Sequence, residues 1–175
     1  MTSHTALSAS IGVLGGIAAA LCLGPLSGMV LIWAVFIAWA CFFATGGDGN
    51  ALKNTIVCSI LGAVLAWIAL LIILGIPLAG ILTLPIWAGI VIGATVFGMC
   101  LLAQIGMFST LPASVLGYAS VASYALQTPD ALSMGALTSA GFDNALIVIS
   151  VSLIIGAILG MVSGKVGSTI ASKQE

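Results

Sequence analysis

One stretch of this chain is written twice. Residues 46–67, GGDGNALKNTIVCSILGAVLAW, join a glycine-rich turn and an Asn-Ala-Leu to an unbroken apolar helix, and the plan returns at 141–161 as GFDNALIVISVSLIIGAILGM. Setting Asn50 against Asn144 aligns 50–65 with 144–159 without a gap, and 8 of 16 positions are identical: Asn50, Ala51, Leu52, Val57, Ile60, Gly62, Ala63 and Leu65 with their counterparts 94 residues later. A duplicated unit constrains a fold more than any local pattern, because both copies must find comparable places in one structure.

The environment of that structure follows from charge. Of the 175 residues only 4% are charged and 62% are hydrophobic, with a mean hydropathy of +1.36; a soluble domain is about 25% charged. The acids are Asp48, Asp130, Asp143 and Glu175, and the bases are Lys53, Lys165 and Lys173, with His4. Such a chain has almost nothing to show water, so it reads as an integral membrane protein whose first partner is the lipid bilayer. So few bases exclude an electrostatic footprint for nucleic acid and a polybasic grip on anionic lipid. Cys22, Cys41, Cys58 and Cys100 lie far apart in apolar runs, with no CxxC and no neighbouring histidine. They suggest neither a disulfide framework nor a metal site and read as small buried hydrophobes. No Ser/His/Asp set, phosphate loop or paired carboxylates within a span is present, so neither an enzyme nor a cofactor is expected. The leader MTSHTALSAS lacks Lys and Arg, and Leu21 is a poor residue before a lipoprotein-type Cys22, so the N-terminal segment reads as a retained span rather than a signal peptide.

About 20 apolar residues cross a bilayer as a helix. Six such spans are expected, at about 7–23, 26–43, 51–75, 86–105, 112–126 and 144–166, with 167–175 as a short cytoplasmic tail. The fifth is short and rich in small and hydroxyl residues, which suits a helix packed among others. Residues 127–142 read as a loop with a short interfacial turn. Six spans place Lys53, Lys165 and Lys173 on one side and Asp130 and Asp143 on the other, and basic residues mark the cytoplasm; both termini are therefore expected inside. Prolines (Pro25, Pro112) open each middle span, and Gly15 and Cys22 align with Gly93 and Cys100 at an offset of 78. The expected fold is a single all-α membrane domain of six transmembrane helices, built as two three-helix repeats, about 7–75 and 86–166. Three crossings are an odd number, so the second repeat must be inverted relative to the first.

Inverted repeats build many transporters, with the site where the halves meet. No Asp, Glu, Lys, Arg or His falls within the spans away from their ends, where Lys53 and Lys165 stand, and proton-coupled pumps usually keep such a group at membrane depth. The expectation is a channel or facilitator for a small neutral or weakly polar solute such as urea, ammonia, a short alcohol or a short acid, working as a homo-oligomer. The alternative is a non-transporting scaffold or accessory subunit of another membrane protein; redox or copper handling by Cys and Met ranks below both. Candidate path residues are Asp48, Asn50, Asp143 and Asn144 at the repeated turns, Trp33 and Trp67 as aromatic constrictions, and Gln104 and Tyr118. Further polar contacts could come from Ser59, Thr95, Ser114, Ser120, Ser123, Tyr124, Ser150 and Ser152. Each has a plainer reading: the turn residues as helix N-caps, and the tryptophans as packed, lipid-facing or, for Trp87, interfacial.

The segments GPLSGMVLIWAVFIAWACFFATGGDGNALKNT and FSTLPASVLGYASVASYAL resemble the YcdZ-like family of small bacterial inner-membrane proteins of unknown function. The resemblance runs over nearly the whole chain. It implies a bacterial cytoplasmic membrane and a presumed link to transport, and it carries no catalytic or binding residue onto these positions.

Overall fold

The computed structural model describes residues 2–172, all of whose regular structure is helical. Helix α1 spans Ser3–Leu23, α2 Ile32–Ala44, α3 Gly49–Gly75, α4 Ala79–Leu82, α5 Leu84–Leu102, α6 Leu111–Gln127, α7 Met134–Thr138 and α8 Ala145–Ser172, with a single 3₁₀ turn at Gly106–Phe108. Four of these, α1, α3, α5 and α8, are long and apolar enough to cross a membrane. Helix α2 is a shorter apolar helix, and α6 has 17 residues.

The helix starts follow local chemistry. Asp48 accepts the Ala51 amide at 2.7 Å and caps α3, Pro112 sits in the first turn of α6 where its missing N–H costs nothing, and Asn144 Oδ1 accepts the Leu146 amide at 2.9 Å at the start of α8. The N-terminal proline rule holds for α6 and fails for α2. Pro25 lies in a turn and α2 begins only at Ile32, because Gly24 and Gly28 punctuate the intervening segment and Gly28 takes a positive φ of 79°. At the other end, α8 stays helical to Ser172, so residues 167–172, expected in a short tail, continue the last helix. Gly167 there packs on Leu7 of α1. Lys173 and Glu175 lie outside the described residues.

Two long helices, α3 and α8, form the centre. They run antiparallel: the start of α3 shares a cleft with Lys165 near the end of α8, while Trp67, late in α3, meets the same carbonyl as Asn144 at the start of α8. Helix α6 lies along α3 and α2 lies along α8, with α5 outside α3 and α1 outside α8. The closest approaches occur at glycines. A Cβ on Gly62 would overlap the Ser114 carbonyl of α6, one on Gly117 the Ser59 carbonyl of α3, and one on Gly156 the Val35 carbonyl of α2. Small residues let backbones meet this way between apolar helices.

The two eight-residue connections, 24–31 and 103–110, reach inward. The Leu31 amide donates to Ser152 Oγ at 2.9 Å, about 10 Å along α8 from its start. Cys58 of α3 donates its S–H to the Met107 carbonyl at 3.7 Å. Within 24–31 the amides of Gly24, Leu26, Ser27, Met29 and Val30 also find backbone carbonyls, as non-helical backbone away from water must.

Candidate functional site

Between α2 and α6 lies a groove of about 370 Å³, lined by Trp33 and Ile37 on one helix and by Leu116, Ala119, Ser120, Ser123, Tyr124 and Gln127 on the other, with Thr128 at its rim. Trp33 near the start of α2 faces Tyr124 and Gln127 near the end of α6, so the two helices cross the groove in opposite directions. Its lining is neutral: hydroxyls, one amide and apolar side chains. Ile37 is the sixth residue of α2 and Leu116 the sixth of α6. On the far side of that pair Cys41, Cys58 and Ala113 pack together with Leu116 against them, and this small-residue cluster fills the space between α2, α3 and α6.

The rim at Tyr124 and Thr128 is shared with a second recess of about 310 Å³, lined also by Pro129, Asp130, Ala131, Ser133, Ala136 and Asp143. Residues 128–144 form this recess, and α7 is their centre. Leu137 of α7 has no exposed surface. Its carbonyl accepts Trp67 Nε1–H at 2.8 Å and Asn144 Nδ2–H at 2.9 Å. The second amide proton of Asn144 goes to the Ser139 carbonyl at 2.8 Å, and the Asp143 carboxylate accepts the Ser139 hydroxyl at 2.7 Å. Asn144 is 5% exposed, and both its donor protons and its oxygen are used, as a buried amide requires.

The sequence candidates thus separate. Trp67, Asp143 and Asn144 come together at the α7 end, and Trp33 lines the groove. Asp48 lies at the opposite end, in a cleft of about 800 Å³ with Gly46, Gly47, Lys165 and Ser168. Asn50 is exposed in the first turn of α3 and is not its cap. Gln104, placed in a span by hydropathy, lies exposed in the connection after α5, which ends at Leu102. Tyr118 is buried and turned away from the groove, its hydroxyl sharing a 2.9 Å hydrogen bond with Thr95 of α5. Trp87 is 9% exposed and packs into the main core. Cys100 is exposed, unlike the other three cysteines.

Leu137, Ile37, Leu116, Gln127 and Thr128 escaped sequence reading. Apolar and amide residues are too common in this chain for any of them to stand out, though Gln127 and Thr128 end a run of hydroxyl residues spaced along one face of α6. Every described charged side chain (His4, Asp48, Lys53, Asp130, Asp143 and Lys165) is exposed. No group of three or more His, Cys, Asp or Glu able to hold a metal ion occurs among the described residues.

A family model described as "Protein of unknown function (DUF1097)" matches residues 8–168. No curated protein and no solved structure matches the chain.

Proposed function

For this chain, which belongs to the DUF1097 family of proteins of unknown function, we propose a six-span facilitator that passes a small neutral or weakly polar solute across the bacterial cytoplasmic membrane. In this reading α1, α2 and α3 form one repeat, α5, α6 and α8 form the second, and the two are related by a pseudo-two-fold axis in the membrane plane.

The repeat offset supports that axis. Gly62 and Gly156 are equivalent at 94 residues, and each meets the carbonyl of the fourth residue of the other half's middle helix, Ser114 in α6 and Val35 in α2. Cys58 and Ser152 are equivalent at the same offset, and each bonds the connection that precedes that middle helix. Ile37 and Leu116, matched as sixth residues, then stand beside the axis as a constriction. Lys53 and Lys165 at one end and Asp130 and Asp143 at the other orient the chain with both termini in the cytoplasm.

The observation that carries the solute class is the neutral groove between α2 and α6. Its hydroxyls and amide can replace some of a solute's hydrogen bonds to water, while the absence of buried charge gives an ion nothing to offset its desolvation. At about 370 Å³ the groove has ample room to admit a small solute. Six short helices leave no room for a wide internal pore, so the working unit is a homo-oligomer in which each subunit carries its own groove.

Stopped-flow swelling of reconstituted liposomes with urea, glycerol, ammonia and acetate tests the proposal. The expected result is flux of at least one solute well above protein-free liposomes, reduced by Ser123→Leu, which fills the groove. No flux for any of them would sink it. A single stoichiometric partner recovered in mild detergent would then favour an accessory subunit.

A further inference from the structure

We propose that residues 128–143 form a lid that closes the outer end of the bundle, latched by the two hydrogen bonds into the Leu137 carbonyl; its gating role rests on the facilitator reading. The two repeats of that reading are joined asymmetrically. In the first, α2 joins α3 through four residues, 45–48; in the second, α6 joins α8 through 17, 128–144. The surplus is not a slack loop. Ser133 caps α7 by accepting the Ala136 amide at 3.2 Å and donates to the Asp130 carbonyl at 3.0 Å, and Leu137 enters the main core with no exposed surface.

The latch draws its two donors from different elements. Trp67 belongs to α3, in the first repeat, and Asn144 to the start of α8, in the second. One carbonyl with two lone pairs therefore ties the lid to both repeats at once. Further bonds lie within the segment, from the Leu137 amide to the Ser133 carbonyl and from the Ser139 amide to the Ala136 carbonyl. Swinging the segment out as a unit would cost the latch, the Asn144 bond to the Ser139 carbonyl, and the packing of Leu137 and Phe142 on the core. Its two ends suit a hinge: Asp130 holds a positive φ of 62°, a left-handed conformation that Asp tolerates better than most residues, and Gly141 stands before Asp143. The recess that the lid itself forms meets the groove at Tyr124 and Thr128, so a moving lid reshapes the groove's outer mouth. The cytoplasmic turn at 45–48 is too short to form a counterpart, and the two faces are gated differently.

Reaction of a charged maleimide with Leu137→Cys, in a chain whose exposed Cys100 is replaced by Ala, reads the lid without any flux. The native latch should hold that thiol at least tenfold less reactive than one placed at exposed Ser133. Adding Trp67→Phe, or Asn144→Asp, should quicken the reaction by roughly three- to tenfold, the worth of one or two neutral hydrogen bonds. Asn144→Asp keeps the oxygen that accepts the Leu146 amide and removes both donated protons, so it opens the latch without uncapping α8. Hydrogen exchange over 128–143 in the chain with native Leu137, quickened by Trp67→Phe, gives the same answer if a cysteine at 137 disturbs packing. Equal reactivity at 137 and 133, or no response to either latch variant, overturns the lid. In conducting liposomes both latch variants should raise flux; faster labelling with unchanged flux overturns the gate. Absence of flux in every variant refutes the facilitator and its gate, while the labelling rates still decide whether the lid exists.

Discussion

The close glycine contacts permit a prediction in which the sign of an effect, not merely its size, is at stake. In a helix, Gly→Ala removes backbone freedom from the unfolded chain and by itself stabilises by about 1 kcal/mol. That gain should appear in full at Gly93 of α5, where an added Cβ meets nothing within 4 Å. At Gly62 and Gly156 the same methyl would overlap a backbone carbonyl of the neighbouring helix, and no rotamer can clear it. The helices must separate by more than an ångström, which loosens every van der Waals contact along α3–α6 or α2–α8. Overpacking of this kind costs about 1–3 kcal/mol or more, so after the propensity gain the net is a destabilisation of up to about 2 kcal/mol. Gly93→Ala should therefore raise the midpoint of thermal unfolding in mild detergent, whereas Gly62→Ala and Gly156→Ala should each lower it by several degrees. Equal behaviour of the three variants would refute the claim that glycine is needed for these approaches. A large effect at Gly62 with none at Gly156 would refute their equivalence across the halves.

Other outcomes follow from single contacts. Ser152→Ala leaves the Leu31 amide without an acceptor and should cost about 1–3 kcal/mol, while Cys58→Ala loses only a weak S–H donor and should cost less in the same thermal assay. Asn50→Leu, at an exposed position, should change stability by no more than about 0.5 kcal/mol. Asn144→Leu removes a cap and two donated bonds and should cost several times as much, despite the identical repeat position. Asp48→Ala should cost about 1 kcal/mol through loss of the α3 cap. In detergent, a small uncharged maleimide should label Cys100 readily and leave Cys41 and Cys58 unmodified until the protein unfolds, as mass spectrometry of the intact chain would show.

The helical, apolar character of the fold was legible because it rests on composition and on long uncharged runs. The matched segment also holds Gly62 and Gly156, the two glycines of α3 and α8 that meet a neighbouring helix's carbonyl. The start of α2 was not legible. Hydropathy runs on through LSGMVL as though the helix began at Leu26, and only the turn at 24–31, closed by a hydroxyl 121 residues away, delays it to Ile32. Trp87 shows the same limit: a tryptophan at the head of an apolar run gives no sign of its burial, which comes from the core it joins where α5 packs on α3. The repeated Asn at 50 and 144 drew attention to the right motif, yet the two copies diverge because one follows a four-residue turn and the other ends a 17-residue connection. A local match could not say which Asn would be buried, because burial depends on what covers it.

The crossed pairing of helices also sets the order in which the protein can be made. Helix α2 emerges early from the ribosome, but its lengthwise partner is α8, the last helix, and the Leu31 amide has no acceptor until Ser152 has been synthesised. Helix α6, the least apolar of the longer helices, instead finds α3 already in place when it arrives. Biogenesis is thus lopsided: the second half can dock onto the first as it is made, whereas the first must wait, with α2 uncovered, until the chain is nearly complete. A chain truncated before α8 would lack more than its terminal helix, because α2 would lose the surface it packs on. The packing of α2 is therefore completed only by the last helix to be made.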